Sequence, residues 1–180
     1  MANLKEIRNR ISSVTSTMKI TSAIKMVSAA KLKKAQDAIT AMRPYSKKLN
    51  ELMSSFSNVI SSSTISFLSL KRPVKKVLVI AVASNRGFCG AFNSNIIKKA
   101  KSLILSEKFS NAEFEFIVFG KKVNDVLVKT ENIAKNASEI FEDLTYQNVS
   151  EIVNEIIDDF ATEKYDHVEL IYNSFKNAAN

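Results

Sequence analysis

The residues whose types and spacing most resemble chemistry lie in "SNRGFCGAFN", residues 84–93, which holds Arg86, Gly87, Gly90 and the chain's single cysteine, Cys89. A phosphate loop of the Walker type closes its glycine-rich turn with Gly-Lys-Ser/Thr, whereas Gly90 is followed by Ala91 and Phe92. The dinucleotide pattern Gly-x-Gly-x-x-Gly is also absent. The position, after an apolar run and before a helical pattern, is one where anions bind, and Arg86 is the residue that would pair with one. A thiol beside a helix start is a candidate nucleophile, but it needs a base. The single histidine, His167, opens a strand far along the chain. In a parallel sheet the residue after one strand and the residue before another lie at opposite edges, which keeps Cys89 and His167 apart. The simpler reading is a tight turn, with the glycines supplying backbone shape and Cys89 a small buried thiol. Glu142/Asp143 and Asp158/Asp159 look like paired carboxylates, yet the second pair falls on the solvated face of a helix. One cysteine and one histidine do not make a zinc site, so no metal or cofactor is expected.

The elements around this loop read as α/β. "VKKVLVIAVAS" (74–84) ends in a continuous apolar run, the mark of a strand covered on both faces in a parallel sheet. After the loop, Ile96, Ile97, Ala100, Leu103 and Ile104 share one side of a helix and Lys98, Lys99 and Lys101 the other. "FEFIVFG" (114–120) is a second strand, residues 121–129 a short helix, and a third strand is expected around 133–137 or near Ile140. Residues 147–163 form the cleanest helix: Val149, Ile152, Val153, Ile156, Ile157 and Phe160 make its apolar face. "HVELIYN" (167–173) is a further strand. Alternating strands and helices predict a Rossmann-like, doubly wound, mostly parallel α/β domain over 74–180, with His167 a polar strand-end residue.

Residues 1–60 are different. The net charge of +8 is concentrated there: residues 1–50 hold 11 Lys/Arg against Glu6 and Asp37, while residues 51–180 hold 15 against 16 Asp/Glu. No glycine precedes Gly87 and Pro44 is the only early proline, so the pattern predicts one long helix, capped by Asn3 with Glu6 reaching back and bent at Pro44. A seven-residue register places Leu4, Ile7, Ile11, Val14, Met18, Leu32, Ala35, Ile39 and Met42 on a coiled-coil seam that continues toward Ile60. At Thr21, Lys25 and Ser28 the apolar set slides to Ile20, Ala23, Ile24, Val27 and Ala30. Past Pro44 the chain grows serine-rich, and 61–73 is expected to be a linker. Such a stripe calls for cover, because each large apolar side chain gains roughly 1.5–3 kcal/mol on full burial. Three covers remain open: the helix folded over its own domain, a coiled-coil or docking shaft, and a nucleic-acid-binding arm using Lys19, Lys25, Lys31, Lys33 and Lys34. No aromatic residue interleaves with those lysines, which disfavours the last. A small-ligand or nucleotide-binding α/β module with a basic helical arm is the competing functional reading. No apolar run reaches the roughly 18 residues that span a bilayer, the N-terminus lacks a signal-peptide h-region, and cysteine usage fits a reducing, bacterial cytoplasm.

Two stretches together resemble the gamma subunits of F-type ATP synthases. "LKEIRNRISSVTSTMKITSAIKMVSAAKLKKAQ" with "RPYSKKL" is similar to that family's N-terminal shaft helix, including Lys-Ile-Thr at 19–21. "ASNRGFCGAFN" is similar to its Arg-Gly-Leu-Cys-Gly turn, with Phe88 for leucine and Asn85 where the family often has aspartate. "LIYNSFKNAAN" fits its late strand. The resemblance implies a non-catalytic central-stalk rotor whose N-terminal helix pairs with a C-terminal helix inside a hexamer of alpha and beta subunits, with catalysis in beta. It implies that Lys19, Ile20, Ile24, Lys25 and Met26 face the catalytic ring and that Arg86, Gly87, Cys89 and Gly90 form a structural turn. The α/β domain would lie near the epsilon subunit and the membrane ring subunits, peripheral to the cytoplasmic side of the bacterial inner membrane, with neither nucleic-acid binding nor membrane insertion. Family members continue past this point into the second shaft helix, so a fragment or a shortened version is expected, with an α/β domain incomplete at its C-terminal side.

Overall fold

The computed structural model describes residues 3–59 and 72–175, and the chain parts into two compact units, Met1–Ile65 and Ser66–Asn180. Ile60 and most of the expected linker at 61–73 lie outside the described residues.

The first unit is one helix, α1 (Leu4–Val59), 56 residues long. A glycine-free run rich in alanine, lysine, leucine and methionine favours it by propensity. At its start the Asn3 Oδ1 accepts from the Lys5 amide at 3.3 Å, meeting one of the amides a helix leaves unsatisfied. The helix runs on through Pro44, although proline supplies no amide to the ladder. Its nearly uniform exposure is the chief fact about it: Leu4 is 73% exposed, Met18 64% and Ile24 61%.

The second unit is a four-stranded sheet in the order β3-β2-β1-β4, every neighbouring pair parallel. Its elements are β1 (Lys76–Val82), α2 (Phe92–Ile104), β2 (Glu113–Phe119), α3 (Lys121–Leu127), β3 (Ile133–Asn136), α4 (Tyr146–Ala161) and β4 (His167–Ile171), with 3-10 turns at Glu107–Phe109 and Ser138–Phe141. The third strand takes the first of its two expected places, and Ile140 sits in the turn that follows. The Rossmann-like expectation holds, and the sheet is wholly parallel.

Alternation along the strands builds two cores. Val77, Val79 and Ala81 with Phe116 and Val118 meet Ile96 and Ala100 of α2 and Val123 and Leu127 of α3 on one face. Leu78 and Ile117 meet Ile156 of α4 and Tyr165 on the other. β1 is buried on both faces because it is central, which is why it reads as an unbroken apolar run.

Arg72 fastens the sheet's entry edge. Its Nη2 donates to the carbonyls of Phe160 at 2.8 Å and Tyr165 at 2.7 Å, meeting one of the last carbonyls of α4. Its Nε lies 3.2 Å from Asp166 Oδ1, an ion pair without an aligned hydrogen bond. The other Asp166 oxygen accepts from the amides of Lys75 and Lys76. Nearby the Tyr165 hydroxyl, in an almost fully buried residue, donates to Glu115 Oε2 at 2.6 Å.

Candidate functional site

Two regions hold the residues singled out by sequence, and each belongs to a different unit. The first is the surface of α1. Leu4, Ile7, Ile11, Val14, Met18, Leu32, Ile39 and Met42 are all exposed, as are Ile20, Ile24, Met26 and Val27 in the stretch where the stripe slides. Ala35, Lys19 and Lys25 lie on the same helix; Lys19 and Lys25 are exposed and Ala35 is too. Thr17 and Thr21 turn their hydroxyls onto carbonyls four residues back, so their donors are satisfied within the helix. The chemistry of this surface is burial, not catalysis: a long apolar stripe bordered by lysine and arginine.

The second region is the loop between β1 and α2, at the carboxyl edge of the parallel sheet. Its polar side chains satisfy one another. The Ser84 amide donates to Asn93 Oδ1 at 3.1 Å and the Ser84 hydroxyl to the Arg86 carbonyl at 2.6 Å. Asn93 Nδ2 reaches both the Arg86 carbonyl and Cys89 Sγ at 3.2 Å. Asn85 ties the loop to two other strand ends, donating to the Ser138 carbonyl at 2.9 Å and accepting from the Lys121 amide at 2.9 Å. These bonds hold the loop's shape from within and tie it to the ends of β2 and β3. Arg86 is exposed.

Cys89 is exposed, which corrects the expectation of a buried thiol. The tight turn leaves its side chain on the outer surface of the loop, so packing does not explain it. Cys89 and His167 are at opposite edges, since His167 pairs with Val77 at the start of β1 and Cys89 follows that strand's end. His167 packs against Phe109, the rings tilted by 44° with centroids 5.1 Å apart, and meets Glu169 Oε2 at 2.9 Å. Glu142 pairs with Lys121 and Asp159 with Lys164. Among the described residues no three His, Cys, Asp or Glu side chains gather as metal ligands, and no helix is long and apolar enough to cross a membrane.

The glycines divide differently from the expectation. Gly90 takes φ +57° and Phe88 takes φ +59°, so the left-handed turn is shared by one glycine and one aromatic residue. Gly87 has no positive φ and open space around it. The glycine with the strictest demand is Gly120, after β2. A Cβ there would stand 2.8 Å from the Ala83 carbonyl carbon, and its φ is +129°. Its amide donates to the Ser138 hydroxyl at 3.1 Å, so Gly120 lets β2 close against the base of the loop. The strand ending "IVFG" (117–120) carries that signal in the sequence, at the point where a strand meets a helix with no room for a loop.

Comparison with known proteins follows the same lines. The sequence family described as ATP synthase matches residues 3–180. The chain is 54% identical over 179 residues to the ATP synthase gamma chain of Flavobacterium psychrophilum, covering 99% of this chain and 62% of that one. It is 54% identical over the same length to the gamma chain of Flavobacterium johnsoniae, with the same coverage, and 40% identical over 177 residues to that of a Geobacter species. The chain therefore spans about three fifths of the length of these relatives. In fold it is similar to a chain of the Euglena gracilis mitochondrial ATP synthase rotor solved by cryo-EM in rotational state 1, with TM-score 0.58 and 18% identity, over 96% of this chain and 58% of that one.

Proposed function

Because this chain belongs to the family of ATP synthase gamma chains, we propose that it acts as a non-catalytic rotor subunit in the central stalk of a proton-translocating ATP synthase. In this role it couples rotation of a membrane ring to nucleotide-site changes in an alpha–beta hexamer. The observation that carries the reading is the wet apolar stripe on a helix 56 residues long. At 1.5 Å per residue that helix extends about 84 Å, and a surface of this kind is stable in an assembly only when partners cover it.

Lys19, Ile20, Ile24, Lys25 and Met26 are assigned to contact with the catalytic ring. The seam from Leu4 through Met42 is assigned to a second shaft helix, and residues 61–73 to the join between shaft and α/β domain. Arg86, Gly87, Cys89 and Gly90 serve as a structural turn, a role supported by the internally satisfied hydrogen bonds of that loop. The α/β domain is assigned to the epsilon subunit and the ring subunits, peripheral to the cytoplasmic side of a bacterial inner membrane. Catalysis is assigned to beta.

The test is co-expression with alpha and beta chains of the Flavobacterium relatives. A complex that retains this chain through gel filtration in 0.5 M salt (about that ionic strength screens surface charge almost completely) is expected. A chain that elutes alone while alpha and beta assemble would refute the reading.

A further inference from the structure

We draw no further inference here: the strongest candidate, the apolar groove of about 410 Å³ that Ile80, Val82 and Leu170 of the sheet form with Val149 and Val153 of α4, carries nothing because nothing in the structure shows what covers it.

Discussion

Replacing Arg72 by methionine keeps most of the aliphatic stem and removes the guanidinium. Two short bonds to the Phe160 and Tyr165 carbonyls go with it, as do the ion pair to Asp166 and the stacking of the guanidinium 4.4 Å over the Phe160 ring. Hydrogen bonds involving a charged group contribute about 1.5–3 kcal/mol each, and a cation–π contact at a part-exposed site about 0.5–1 kcal/mol. The contributions overlap, and Asp166 keeps its two backbone amides, so the loss is expected to be about 3–4 kcal/mol rather than the full sum. The Arg72–Glu163 pair, 3.7 Å apart with Glu163 mostly exposed, adds little. With a urea m-value of about 1–2 kcal/mol/M, the midpoint should fall by about 2 M. The probe is the change in tyrosine fluorescence, because Tyr165 is almost fully buried beside the altered site while Tyr45, Tyr146 and Tyr172 are exposed already and the chain has no tryptophan. A midpoint shift below about 0.3 M, which corresponds to under about 0.6 kcal/mol, would refute the reasoning that Arg72 fastens α4 and β4 to the entry of β1.

Asp166 gives the same cluster a pH dependence. Burial alone would raise its carboxyl, but the Lys75 and Lys76 amides and the Arg72 charge outweigh that and hold it below the ordinary value of 3.8. Its contribution is therefore present above the unfolded value and lost as pH falls through the lower folded one, so acid titration of stability below about pH 4 should be shallower in Asp166→Asn. Tyr165 runs the other way: burial first, then its bond to Glu115, push its hydroxyl from 10.0 up to about 12. Its contribution is complete below 10.0 and lost between there and about 12, and one tyrosine's worth of absorbance at ~295 nm should appear only in that upper range and vanish in Tyr165→Phe. Gly120→Ala should cost about 3 kcal/mol or more, from a left-handed φ and a backbone clash, whereas Gly87→Ala should stay within about 0.5 kcal/mol; paired urea melts decide it. Cys89→Ser should be similarly silent, and the native thiol should be modified stoichiometrically by a maleimide in the folded chain.

Much of the fold is legible because its signals are local. β1 shows its double burial as an unbroken apolar run, and α2 shows its single buried face as the recurrence of Ile96 and Ala100. The long helix is legible from the lack of glycine and the seven-residue register. What the sequence hides is set by neighbours distant in the chain. Arg72 reads as one more basic residue before a strand until α4 and β4 bring the Phe160 and Tyr165 carbonyls to it. Gly120 reads as a strand end until Ala83 arrives within 3 Å. Cys89 was expected inside because small thiols usually are, and the turn's backbone decides otherwise. The apolar face of α4 is legible, but the exposure of Val149, Val153 and Ile157 on it is not, because periodicity reports that residues are apolar and not how many strands lie beneath them.

The most direct test of the rotor account is the accessibility of Ile24. In a Cys89→Ser background, Ile24→Cys should react freely with maleimide in the isolated chain, where that position is 61% exposed. In a purified complex with alpha and beta chains its labelling rate should fall by about ten-fold or more, as expected for a side chain enclosed by partners. An equal rate in the complex would contradict the account, because a shaft whose apolar stripe stays wet in the assembled enzyme is not the element that the alpha–beta ring turns on.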